Sequence, residues 1–239
     1  MNKGKGNPRL PENSESHLFP PQIKICGLTR VEEAVACASL GVDALGFVFY
    51  PKSPRAVTLH QVREIAAALP SSVCRIGVFV DESYETIITS ARASRLHAVQ
   101  LHGHESPELV KKLRAAGLMV IKTLFSVREP FFAQARQFSA DAFLVECGSG
   151  PLPGGNARAW DFSLLETFGK KNQLILAGGL SIDNVSEAVL SCRPDAVDIS
   201  SGVERSPGRK DLNKVKSFIQ AVRCTRTAIT HRRIFDVCQ

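Results

Sequence analysis

The stretch Ile23-Lys24-Ile25-Cys26-Gly27-Leu28-Thr29-Arg30 ends a short apolar run in a lone thiol beside a glycine, then passes into a segment of helical periodicity. In a strand alternate side chains share a face, so Lys24 and Cys26 point one way and Ile23 and Ile25 the other. Such a thiol could act as nucleophile, ligand or base. An unperturbed thiol, with a pKa of about 8.5, is only a few per cent ionised at neutral pH, and a neighbouring ammonium favours the thiolate.

Other apolar runs also close on groups that could do chemistry: the turn Tyr50 to Arg55, then Asp81, Gln100 and His102, Lys122, Glu146, Gly178 and Gly179, Asp198, and Ser200 to Gly202. Alternation places Lys24, Cys26, Gln100, His102, Lys122, Glu146 and Asp198 on one face if every run keeps its register. Buried charges need partners. Lys24 and Asp198 form either a buried structural ion pair or a pair whose ammonium also supports the Cys26 thiolate. Gly178-Gly179 and Ser200-Ser201-Gly202 each precede a turn and a helix start. Exposed amides there suit a phosphate dianion, although tight turns alone would also account for the glycines. Gly154-Gly155-Asn156 could add amides or act as a hinge. Arg55 is either a bidentate clamp for a carboxylate or one more solvated arginine. His102 reads as a positioning or structural residue.

The elements that must hold these groups repeat one theme of short apolar run, turn and helical segment. The runs cover residues 23–28, 44–49, 74–80, 98–103, 119–125, 142–147, 174–179 and 196–202. Helix-like segments span 30–40, 58–69, 83–94, 106–116, 129–138, 161–168, 183–190 and 211–222. Strict alternation of this kind requires crossovers and therefore a parallel sheet. Eight units fit an α/β fold with a single (β/α)8 TIM barrel over 23–222, whose site lies at the C-terminal strand ends. A doubly wound open sheet is the rival, but it would more often carry a glycine-rich loop after the first strand, where Gly27 stands alone. Residues 1–22 lack apolar periodicity and read as a mobile arm; residues 223–239 read as a basic tail.

The chain has 239 residues, 44% hydrophobic and 22% charged, with a formal net charge of +7. That is the composition of a globular domain with an ample core. Four arginines from Arg223 onward, against Asp236 alone, account for much of the charge, and no basic stripe with interleaved aromatics appears. Nucleic acid and membrane are therefore not expected partners, and an anionic small molecule is. No apolar run is long enough to span a bilayer and no secretory signal is apparent, so a cytoplasmic location is expected. The cysteines, 7 in all and without CxxC pairing, suggest neither a metal site nor a disulfide framework.

In order along the chain, KICGLTR, GFVFYPKSPR, IGVFVD, AVQLHG, VIKT, GGNARAWDFS, LAGGL and DISSGVERSPGRKD closely resemble the phosphoribosylanthranilate isomerase family of tryptophan biosynthesis. The resemblance runs from about Ile23 to Val222 and leaves out both tails. It implies a (β/α)8 barrel, no cofactor, and an Amadori rearrangement of N-(5'-phosphoribosyl)anthranilate to 1-(2-carboxyphenylamino)-1-deoxyribulose 5-phosphate. By that resemblance Cys26 is the general base at ribose C2' and the general acid lies on the sixth strand. Arg55 then holds the anthranilate carboxylate, and Gly179, Ser201 and Gly202 the phosphate. Gln100 and His102 remain possible positioning residues.

One departure stands out. The family pattern has an aspartate where this chain has Glu146. An added methylene moves the carboxyl by about 1.5 Å, and misplacement near 1 Å can cost about 10²-fold in rate. Lower activity or a shifted loop is expected; Lys122 on the adjacent strand would lower the pKa of that acid, whereas burial and the substrate phosphate would raise it. Two other readings stay open: a non-catalytic barrel that binds a phosphorylated metabolite, and an isomerase of the histidine-pathway aminoaldose. The helical faces carry no obvious excess of apolar residues, which favours a monomer over a homodimer.

Overall fold

The computed structural model describes residues 20–148, 160–227 and 231–238. Eight parallel strands close into a barrel in chain order: β1 (Gln22–Cys26), β2 (Ala44–Val48), β3 (Cys74–Phe79), β4 (Ala98–Leu101), β5 (Met119–Phe125), β6 (Ala142–Glu146), β7 (Leu174–Leu176) and β8 (Ala196–Ile199). Closure comes from β1 pairing with β8, with Lys24 opposite Asp198. The open-sheet alternative is thereby excluded. The N-terminal arm lies, up to residue 19, outside the described residues, and β1 begins at Gln22.

Helices α1 (Val31–Ser39), α2 (Leu59–Ala68), α3 (Tyr84–Ala93) and α4 (Pro107–Ala115) follow the first four strands. Their starts are set locally. Thr58 and Gln61 form a reciprocal capping box, Ser83 and Ser106 each accept from the amide three residues on, and Pro107 occupies the first turn, where its missing N–H is not needed. The fifth crossover differs from expectation. After β5 the chain bends through residues 126–130, with Phe125 donating to the Pro130 carbonyl, and the 129–138 segment retains only a 3-10 helix over Phe132–Gln137. A second 3-10 turn (Phe162–Leu165) leads into the short α5 (Glu166–Lys171); α6 (Val185–Cys192) and α7 (Leu212–Cys224) complete the ring. Between β8 and α7 a small hairpin is inserted, β9 (Glu204–Ser206) and β10 (Arg209–Lys210).

Two cores result. Ile23, Ile25, Leu45, Phe47, Val99 and their neighbours pack outward against the helices. Inside the barrel, Ala44, Ile76, Ala98, Ile121, Leu144 and Ile175 fill the N-terminal end and leave the other end to polar groups. Cys74 is disulfide-bonded, against the expectation from scattered cysteines. Among the described residues no helix is long and apolar enough to cross a membrane.

Candidate active site

Cys26 ends β1 opposite Gly46 of β2. A Cβ on Gly46 would lie 2.7 Å from the Cys26 Sγ and 3.2 Å from the Lys24 Cε, so glycine makes the room that the thiol and ammonium occupy. Lys24 is wholly buried, and its Nζ donates to Asp198 Oδ1 at 2.9 Å. Burial works against the Lys24 charge, but Asp198 and Cys26 outweigh it and hold its pKa above the ordinary lysine value. For Cys26 the balance goes the other way. Burial raises the thiol's pKa, Lys24 lowers it and Asp198 raises it again, leaving it above its ordinary value.

Glu146 ends β6, nearly buried, with its Oε1 3.4 Å from His102 Nε2. His102 Nδ1 lies 2.8 Å from Gln100 Nε2 and 3.1 Å from Thr123 Oγ1. Gln100 and Thr123 thus hold the ring at Nδ1 and leave Nε2 facing Glu146. Gln100 Oε1 is buried with no hydrogen-bond partner among the described residues. Gly178, at φ +81°, abuts this acid: a Cβ there would lie 2.8 Å from Glu146 Cβ and 3.0 Å from the Cys147 amide nitrogen.

Lys122 does not join them. Ile121 belongs to the inner core and Thr123 faces His102, so Lys122 lies on the opposite face of β5, against the expected inward placement. Its ammonium reaches Glu105 Oε2 at 2.8 Å and the carbonyl of Gly103 at 2.8 Å. Asp81 likewise turns away, accepting from the His104 amide.

The last two strand ends meet closely. Gly179, at φ +71°, accepts from Asn184 Nδ2 at 2.8 Å, and a Cβ on Gly202 would lie 2.4 Å from the Leu180 carbonyl oxygen. Ser201 and Gly202 open the short turn after β8. Gly154, Gly155 and Asn156 lie outside the described residues.

Arg55 is buried, its side chain crossing above Gly27, where a Cβ would fall 2.6 Å from Arg55 Cδ. Instead of standing free, it makes a two-point contact with Glu204, Nε to Oε1 at 2.9 Å and Nη2 to Oε2 at 2.8 Å. Lys210 Nζ donates to the same Oε1 at 2.8 Å. Neither Glu204 nor Lys210 was singled out from sequence. The signal was there, since a buried arginine requires an anion and the run VERSPGRK offers one beside β8.

One open cavity at the C-terminal strand ends gathers these groups. Cys26 and Arg55 line one side, and Gln100, His102 and Glu146 another. Gly178, Gly179, Ser201 and Gly202 line the wall between them, with Tyr50 and Ser53 at the rim. The arrangement places a thiol and a carboxyl on strands nearly opposite in the barrel, with glycine turns to one side. Such a cavity suits acid–base chemistry on a small anionic molecule.

Comparison with known proteins agrees. Residues 23–221 match the family model for N-(5'phosphoribosyl)anthranilate (PRA) isomerase. The N-(5'-phosphoribosyl)anthranilate isomerase of Desulfatibacillum aliphaticivorans is 50% identical over 217 residues, covering 90% of this chain and 99% of that protein. The crystal structure of phosphoribosyl anthranilate isomerase from Thermotoga maritima superposes with a TM-score of 0.77 at 40% identity, covering 84% of this chain and 98% of that one. A phosphoribosyl anthranilate isomerase in complex with reduced 1-(o-carboxyphenylamino)-1-deoxyribulose 5-phosphate superposes at 0.74 with 39% identity, again over 84% and 98% of the two chains. With the barrel, the cavity and these matches in hand, the chain belongs to the N-(5'-phosphoribosyl)anthranilate isomerase family.

Proposed function

We propose that Cys26 and Glu146 carry out, as general base and general acid, the Amadori rearrangement of N-(5'-phosphoribosyl)anthranilate. Glu146 gives its proton to the ribose ring oxygen as the C1'–O bond breaks, and the nitrogen lone pair forms the protonated Schiff base. That cation acidifies C2', whose proton the Cys26 thiolate removes, and the enolamine becomes the ketone. The new positive charge also favours the thiolate that must act next. His102 orients Glu146 through Nε2, its ring held in turn by Gln100 and Thr123.

The observation that carries this reading is the placement of Cys26 and Glu146 on β1 and β6, across a single cavity. A sugar ring between them would meet an acid on one side and a base on the other. One solved relative is in complex with reduced 1-(o-carboxyphenylamino)-1-deoxyribulose 5-phosphate; for a ligand of that kind, this reading gives the phosphate to the turns at Gly178, Gly179, Ser201 and Gly202 and the carboxylate to Arg55.

Loss of substrate fluorescence tests the assignment. Cys26→Ala and Glu146→Gln are each expected to lower kcat by about 10²–10⁴-fold. Glu146→Asp withdraws the carboxyl from His102 by about 1.5 Å and is expected to lower kcat by roughly 10–100-fold. Full turnover in Glu146→Gln would remove that residue from the acid's role.

A further inference from the structure

Arg55 is held in place by protein groups alone. Its contact with Glu204 uses Nε and one hydrogen of Nη2, and the two side chains are only 8% and 5% exposed. A guanidinium carries five N–H donors in a planar fork, so the end edge formed by Nη1 and the other Nη2 hydrogen is left for a second carboxylate. Two carboxylates on one guanidinium would leave the group with a net negative charge. Lys210 changes that count. Wholly buried, its Nζ donates to Glu204 Oε1 at 2.8 Å, to the Ser200 carbonyl at 3.2 Å and to Ser200 Oγ at 3.5 Å. These contacts match the three donors of an ammonium. Arg55, Glu204 and Lys210 together carry a single positive charge, the complement of one carboxylate.

We propose that Glu204 and Lys210 are positioning residues for the substrate's aromatic carboxylate: Glu204 sets the plane of Arg55, and Lys210 cancels the charge of Glu204 so that the guanidinium's own charge serves the substrate. The inference rests on Arg55 as the carboxylate site. The two residues face each other across the β9–β10 hairpin. That hairpin is tied back to the β1 side of the barrel, where Thr29 Oγ1 donates to the Gly208 carbonyl at 2.8 Å and Glu33 accepts from Arg209 Nε at 2.8 Å and from the Lys210 amide at 3.0 Å. The insertion after β8 thus delivers a charge pair to a residue of the β2 loop.

The test compares two substrates, made by condensing ribose 5-phosphate with anthranilate or with aniline, which lacks only the carboxylate. The readout is the ratio of their kcat/KM values. In Lys210→Met and in Glu204→Gln this ratio is expected to fall by about tenfold or more, with the loss in the KM of the carboxylated substrate. In an Arg55→Met background neither change should alter the ratio further, since both act through that guanidinium. A ratio unchanged or raised in Lys210→Met and Glu204→Gln, while Arg55→Met collapses it, overturns the positioning pair and leaves Arg55 as the carboxylate site. A ratio that survives Arg55→Met overturns the carboxylate site and the inference with it. Should either variant fail to fold by circular dichroism, the other decides; Glu204→Asp, which keeps the charge and draws it back from Arg55, replaces both.

Discussion

At Cys26 the decisive contest is between burial and Lys24, and burial prevails because the ammonium is already paired with Asp198. From sequence Lys24 reads either as the ion-pair partner of Asp198 alone or as a pair member that also promotes the thiolate. In the fold its charge is shared, and Asp198 itself disfavours a second anion nearby. The free protein should therefore hold Cys26 protonated at neutral pH. Alkylation by iodoacetamide, followed by mass spectrometry against pH, should show the Cys26 midpoint above the ordinary thiol value of about 8.5. Lys24→Met should move the midpoint higher still, because the thiolate loses its nearest cation. A midpoint below neutrality would show that the thiol is ionised before substrate arrives, and the Schiff-base cation would then have no part in forming the base. Parity along β1, β4, β6 and β8 made Lys24, Cys26, Gln100, His102, Glu146 and Asp198 legible as one inward set. Lys122 was misplaced because VIKT offers two polar residues of opposite parity, and only the neighbouring strand shows that Thr123 is the inner one.

The β9–β10 hairpin is the element that sequence reading passed over. Its motif was read for phosphate turns, whereas its charged residues face Arg55 and α1. Charges that pair across 149 positions, as Arg55 does with Glu204, leave no periodic trace. They announce themselves only through the rule that a buried charge has a partner. Glu33, 6% exposed on α1, is the hairpin's main tether, accepting from Arg209 Nε and the Lys210 amide and lying 3.5 Å from Arg205 Nη2. Removing one partner of a buried ionic contact typically costs about 3–5 kcal/mol, and Arg209 is a third exposed, which puts Glu33→Ala at the lower end. Urea melts should show a lower midpoint with an unchanged m-value. KM for the carboxylated substrate should rise as well, since a loosened hairpin no longer fixes Glu204. A stability loss without any change in KM would mean that the hairpin anchors α1 and plays no part in placing Arg55.

Across the whole molecule the barrel's two ends do different work, and the C-terminal segment shows it most clearly. The family match stops at residue 221, yet residues beyond it pack onto the N-terminal ends of the strands, away from the cavity. Ile234 and Phe235 enter the inner core at 1% and 2% exposure. Arg232 pairs with Asp195 just before β8, Arg233 with Asp43 before β2, and the Phe235 amide donates to Gln22 Oε1 at the start of β1. The segment reads in sequence as a basic tail because arginines alternate with its apolar residues, and nothing local says that the apolar ones have a socket. The socket exists because β2, β3 and β4 contribute small or short inner side chains at that level, among them Ala44, Cys74 and Ala98. Burying side chains of this size is worth about 1.5–3 kcal/mol each, so deleting residues 226–239 should lower the midpoint of thermal unfolding by roughly 10 °C. In a (β/α)8 barrel stability resides at this end and chemistry at the other. Below the new midpoint, kcat/KM of the truncated protein should therefore stay within about twofold of the full chain. An unchanged midpoint would mean that the segment merely rests on the barrel, and a lost activity at full folding would mean that the two ends are coupled through the strands.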